Sequence, residues 1–143
     1  MPLARHGSGP RAAIAALASQ VHPVFMLPAL ATALFGAVLA GSLRPVPAAL
    51  HVAAVFLGLY TAHVTDGYVD FYGRGEDEDH PLTRQGCHLA RIGATLGFAA
   101  AVGGLFVLVD AVAVLLTVPG WLIAVLHAPQ LDTNPIGATF GYP

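Results

Sequence analysis

"RIGATLGFAAAVGGLFVLVD", Arg91–Asp110, places 18 uncharged residues between an arginine and an aspartate. As a helix rising about 1.5 Å per residue, those 18 would reach roughly 27 Å, close to the ~30 Å hydrocarbon core of a bilayer. No polar stripe of period ~3.6 runs along it, as the wet face of a soluble helix would require. The stretch therefore reads as a membrane-spanning helix. Three further gaps of this kind follow from the charges: 32 residues between Arg11 and Arg44, 21 between Arg44 and Asp66, and 21 between Asp110 and Asp132. Together they predict an all-α integral membrane helical bundle with four transmembrane helices, over about 14–43, 48–64, 88–109 and 111–127. The 143 residues form a single transmembrane domain in this reading.

Composition agrees. The chain is 56% hydrophobic and 10% charged, with a mean hydropathy of +0.70, whereas soluble domains carry about 25% charged residues. Its basic residues are all arginine. A net charge of −2 with no basic stripe excludes nucleic acid as a partner. The single cysteine, Cys87, excludes an intrachain disulfide and reads as a small apolar filler. Pro23 and Pro28 predict a kink or break where the first span begins, and "SLRPVP" (Ser42–Pro47) reads as the turn to the second. Glycine and alanine in "GATLGFAAAVGG" (Gly93–Gly104) allow close helix packing. "APQLDTNPIG" (Ala128–Gly137) reads as a loop, and "ATFGYP" as the start of an apolar segment cut short at the C-terminus. Arg5, Arg11, Arg74, Arg84 and Arg91 fall on one side of a four-span chain and Arg44 on the other. The positive-inside rule then makes 65–87 a cytoplasmic loop of a cell-membrane protein.

Most of the acids gather in that loop, "TDGYVDFYGRGEDEDHPLTRQG" (Thr65–Gly86). Asp66 and Asp70 are spaced i, i+4, so a continuing helix would set both carboxylates on one face. Their repulsion asks for compensation, and Mg²⁺ suits two carboxylates at a helix end, keeping sites for water or phosphate oxygens. The alternative is a solvated loop, and it holds more strongly for "EDED" (Glu76–Asp79). Arg74, Arg84 and Arg91 lie where they could meet a diphosphate, or they could simply orient the chain and snorkel. Tyr68, Phe71 and Tyr72 could line the mouth of a lipid tunnel or belong to an interfacial aromatic belt. His63 and Asp66, i and i+3, could share an ion. His22, His51 and His127 read as interfacial residues, and Asp110 and Trp121 carry no specific signal.

Asp66-x-x-x-Asp70 followed by "HPLTRQG" (His80–Gly86) resembles the first motif region of the UbiA-type intramembrane prenyltransferases. "VHPVFMLPALATALFG" (Val21–Gly36) is similar to that family's first helix. The resemblance covers the chain as the N-terminal half of such a protein. It implies a helical membrane enzyme that uses Mg²⁺ at Asp66 and Asp70 to bind a prenyl diphosphate and transfers the prenyl group to a lipophilic acceptor. Arg84, Arg74, Tyr68 and Tyr72 would assist substrate binding. The family pattern carries asparagine where Ala62 stands and arginine where His80 stands, and its glycine follows one residue sooner. Its second aspartate-rich motif is not found here, since Asp132 stands alone. A second polypeptide supplying that half is therefore expected as a partner. The competing function is a non-catalytic four-helix membrane subunit, or a degenerate fragment, whose acidic loop docks a partner.

Overall fold

The computed structural model describes residues 2–41 and 43–127. Among them every regular element is a helix: α1 (Gly9–Ala18), α2 (Pro23–Leu39), α3 (Pro45–Tyr68) with a π-helical turn (Val69–Arg74), α4 (Arg84–Leu108) and α5 (Ala111–Leu126). The expected loop around Asp132 and the apolar "ATFGYP" lie outside the described residues.

Local chemistry explains the boundaries. Pro23 starts α2 and Pro45 starts α3, because proline's missing N–H costs nothing in a first helical turn. Within the expected "SLRPVP" turn α3 already begins at Pro45, earlier than the expected residue 48. It also runs further, past 64 and into the π turn. Gly75 ends it in the left-handed conformation, φ 69°, with the Glu76 N–H on the Asp70 carbonyl at 2.9 Å. Part of the expected acidic loop is therefore helix. Thr83 caps α4 by accepting from the Gly86 N–H at 2.9 Å, and Asp110 caps α5 by accepting from Val112 and Ala113.

Two helices, Pro45–Arg74 and Arg84–Leu108, are long and apolar enough to cross a membrane. The α1–α2 pair passes the same test together but is bent by 66° at its break. α5, with 16 residues, would reach only about 24 Å. The chain is thus a helical bundle with two to three candidate spans, and large apolar side chains such as Val24, Leu27, Leu115 and Val107 are exposed as a lipid environment requires.

α3 packs against α2, α4 and α5. Its seam with α4 depends on two glycines spaced like their partners. Leu57 lies over Gly97 and Leu50 over Gly104, so close that an added Cβ would stand 3.0 and 2.9 Å from a leucine methyl. Small residues let backbones approach in this way where hydrophobicity cannot drive helices together in lipid. Behind the seam, Ala54, Phe98, Ala101 and Val102 are buried, with Trp121 of α5 stacked on Phe98 at 5.2 Å. Arg44 closes the far end by donating to the Leu108 carbonyl at 3.0 Å, which satisfies a carbonyl near the end of α4.

The N-terminal segment straps the other end. Ala4 forms an antiparallel bridge with Leu82, through Arg5 N–H to the Pro81 carbonyl and Thr83 N–H to the Leu3 carbonyl, both 2.9 Å. A Cβ on Gly86 would collide with the Leu3 carbonyl oxygen. Arg5 lies 4.3 Å above the Phe71 ring, and His6 Nε2 meets the Asp79 carboxylate at 2.9 Å.

Gly97→Leu should wedge α3 from α4 and cost about 1–3 kcal/mol, read as an earlier unfolding midpoint in a denaturing-detergent titration. A second expectation concerns acid. The Asp79 carboxyl is held below the ordinary carboxylate range, first by the His6 hydrogen bond, then by the His80 backbone N–H, with the charges of His6 and Arg5 adding to both. A carboxyl lowered on docking favours the docked strap above the ordinary carboxylate range, and that contribution is lost as pH falls through the lowered pKa. Amide-exchange protection at Arg5 and Thr83, corrected for intrinsic rate, should hold from neutral to weakly acidic pH and fall in strong acid. Asp79→Asn should lower it at neutral pH and flatten its pH dependence.

Candidate functional site

A cavity of about 840 Å³ opens where the α1–α2 break, the end of α3, the acidic loop and the end of α5 meet. Its position follows from the local structure just described. The break after Ala18 leaves Ser19, Gln20 and His22 outside helical register, and all three line the cavity. Gln20 is buried despite its polar side chain. From α3 and the π turn come Ala62, His63, Asp66, Gly67, Asp70 and Arg74, and from the loop Glu76, Asp77, Asp79 and His80. The α5 end contributes Ala124 and His127.

Of the residues singled out in the sequence, Asp66, Asp70 and Arg74 are brought together here. Asp66 is exposed and Asp70 half-buried. Arg74 Nη1 lies 3.3 Å from Asp70 Oδ1 and 4.0 Å from Glu76 Oε2, so one Asp70 oxygen is engaged by the guanidinium, while Asp66 is an exposed part of the cavity lining. The π turn places this i, i+4 pair at the point where the chain leaves the helix, a frequent setting for π-helical turns at functional sites.

Tyr68, Tyr72 and Arg84 do not line the cavity. Tyr68 and Tyr72 pack on the cluster of Val64, Leu82 and Cys87. The Tyr72 hydroxyl donates to the Leu82 carbonyl at 2.8 Å. Arg84 sits 4.7 Å above the Tyr72 ring and reaches the Tyr72 carbonyl at 3.4 Å. These three brace the turn that carries Asp70. Cys87 is fully buried in the same cluster.

Sequence reasoning missed the histidines' grouping. His22 and His63 stack at 4.8 Å, with Phe25 at 6.1 Å from His63, and all three line the cavity. They lie 41 positions apart in the chain, so only the packing of α2 on α3 joins them. His80, noted only as a departure from a family arginine, is a buried wall of the cavity. The signal that could have been used for Gln20 is its amide beside Pro23 in an otherwise apolar segment. Asp110 turns out to be a helix cap, and an aspartate just ahead of an apolar run is the pattern that predicts one. His51 and Trp121 share a second, apolar cavity of about 260 Å³ between α3, α4 and α5.

The charge balance decides what the large cavity can accept. Asp66, Asp70, Glu76, Asp77 and Asp79 face it against Arg74 as its guanidinium. An anion cannot enter such a field alone, whereas a cation, or an anion carrying one, can. Among the described residues no group of three or more His, Cys, Asp or Glu side chains converges as a metal cage. Asp66 and Asp70 nevertheless fit Mg²⁺, which is held by one or two carboxylates and takes its remaining oxygens from water and phosphate. Transition metals that demand a full protein cage fit less well.

Gly67 lies between the aspartates, and a Cβ there would stand 2.7 Å from His80 Nε2. His80 is packed under the loop and has little room to retreat. Gly67→Ala should therefore destabilise the fold by about 1–3 kcal/mol, read as a lower unfolding midpoint, while Gly73→Ala, with only a Val69 methyl 3.9 Å away, should move it by less.

Compared with protein-family models, with curated proteins and with solved structures, the chain matches none.

Proposed function

We propose that the cavity is a magnesium–diphosphate half-site at the membrane surface, and that the chain works as the N-terminal half of a UbiA-like prenyltransferase. The observation that carries this reading is the gathering of Asp66, Asp70 and Arg74 on one cavity wall at the end of a helix apolar enough to span a bilayer. In this proposal the α1–α2 pair forms one broken span, and α3, α4 and α5 the other three. Arginine distribution puts the cavity on the cytoplasmic side.

Asp66 and Asp70 would hold the ion through their carboxylate oxygens. When bound, magnesium supplies the charge that admits a diphosphate among carboxylates and stabilises it as a leaving group. Arg74 fixes Asp70 and stands close enough to the same space to meet a phosphate oxygen. Arg84 and Tyr72 act one step removed, by holding the π turn. The reaction breaks the bond between the allylic carbon and the diphosphate oxygen, and the electron pair leaves with diphosphate. A nucleophilic acceptor forms the new bond and gives up its proton. The prenyl tail would lie along the apolar helix faces, open to lipid. A further polypeptide segment would supply a second acidic motif and the acceptor wall.

The test is binding of a prenyl diphosphate to the purified chain in detergent, with and without Mg²⁺. The expected outcome is magnesium-dependent binding that the Asp66→Ala/Asp70→Ala pair weakens at least a hundredfold, in line with the loss of both charged ligands. Binding indifferent to magnesium and to the pair would move the assignment to a non-catalytic membrane subunit whose acidic loop docks a partner.

A further inference from the structure

The strongest unexplained group is His80. It follows four exposed acids, Glu76–Asp79, yet is only 3% exposed. Phe71 and Tyr72 lie at 5.9 and 6.0 Å from its ring. Its Nδ1 stands 3.2 Å from the Leu82 nitrogen and 3.1 Å from the Leu82 oxygen, and only one of these can be a hydrogen bond for a given tautomer.

Hydrogen-bond accounting selects between them. Leu82 is fully buried. Its carbonyl already accepts from the Tyr72 hydroxyl at 2.8 Å. The acceptor the structure offers its N–H is His80 Nδ1. A buried N–H left without an acceptor is costly, so Nδ1 accepts and the ring proton belongs on Nε2. This tautomer is assigned from the network of partners.

Nε2 then carries a donor with no partner among the described residues, although it is buried. It lies against Gly67, between the two aspartates, close enough that a Cβ there would be 2.7 Å away. The Gln20 side-chain oxygen comes within 3.9 Å of the same point. His80, Gly67, Gln20, Asp66 and Asp70 all line the large cavity. A buried donor is thus held beside the proposed cation site, with its ring orientation fixed from behind by the Leu82 N–H.

We infer that His80 is a ligand-binding residue whose Nε2–H donates to an oxygen of the phosphoryl anion that enters with the cation at Asp66 and Asp70. Because Nε2 bears the proton it cannot ligate the metal, so its partner is the anion. The assignment rests on the magnesium–diphosphate reading above and adds to it a division of labour: carboxylates take the cation, His80 takes a phosphoryl oxygen. Gly67 lets the imidazole approach the helix that carries both aspartates.

The test uses the full chain in detergent, with inorganic pyrophosphate and Mg²⁺ as the probe. His80→Asn keeps an acceptor near the Leu82 N–H and deletes the Nε2 donor. It should weaken magnesium–pyrophosphate binding roughly tenfold to a hundredfold, the range for a lost hydrogen bond to a charged group. Binding of Mg²⁺ alone should be unchanged, a split that a merely structural histidine would not give. In the unsubstituted chain with ¹⁵N-labelled histidine, the His80 Nε2–H resonance should move on adding magnesium–pyrophosphate. That measurement decides the matter if His80→Asn fails to fold. Full-strength binding in a folded His80→Asn chain, or an unmoved resonance on saturation, overturns the inference. If Asp66→Asn/Asp70→Asn still abolishes binding in that case, the half-site reading stands without His80. No magnesium-dependent binding in the intact chain overturns both.

Discussion

The close approach of α3 and α4 is the constraint on which the other elements depend. Leu50 and Leu57 of α3 sit over Gly104 and Gly97 of α4, seven residues apart on each helix and in antiparallel order. In lipid there is little hydrophobic gain from joining two apolar helices, so contact area and close backbone approach must supply the attraction. Glycine at those two positions provides it. α2 and α5 then pack on α3, and Trp121 of α5 closes over Phe98 of α4. The end of α3, with its aspartates, is thereby carried on the best-anchored helix of the bundle.

A second constraint acts at the same end, outside the apolar layer. The loop from Gly75 to Thr83 is short, acidic and largely exposed, and left to itself it would move. Two backbone bonds from the N-terminal segment and the contacts of Arg5 and His6 with Phe71 and Asp79 hold it. Thr83 joins the two systems, since its hydroxyl donates to the Pro2 carbonyl and accepts from Gly86 at the start of α4. The strap is worth little in Coulomb energy, because its charges are solvent-exposed. Its backbone bonds and the burial of Ala4 and Leu82 give it specificity of position. The consequence for the cavity is a fixed rim of carboxylates and a buried His80.

That rim explains why the site reads as one for a cation-bearing anion. Five carboxylates face a single guanidinium and several imidazoles. Arg74 offsets part of the Asp70 charge, and Asp66 is exposed. The cavity lies at the end of α3, a helix apolar enough to span a bilayer, and charged residues share its lining with Phe25, Ala62 and Ala124. A ligand with a charged head and a greasy tail suits that boundary, which joins the electrostatics of the site to the proposed prenyl diphosphate.

The sequence by itself determined that this is a helical chain built for an apolar environment. Charge spacing, the absence of a polar helical stripe and the Pro and Gly breaks depend only on neighbours along the chain. The same locality made the i, i+4 relation of Asp66 and Asp70 legible, since α3 does continue through Asp66 into the π turn. It misplaced the helix starts at Pro45 and Arg84, because a proline or a threonine cap can belong to a turn or to a first helical turn until the downstream packing chooses. Four uncharged gaps did not translate into four full-length straight helices: the first is bent by 66° and α5 is short. Only the tertiary structure decided which side chains share the cavity. Tyr68 and Tyr72, adjacent in sequence to the aspartates, turn to the Leu82 cluster, and Arg84 at the start of α4 lies over Tyr72, whereas Gln20, His22 and His80 arrive from other elements. Helical rotation separates near neighbours by a face, and helix packing joins distant residues, so proximity along the chain was no guide to either.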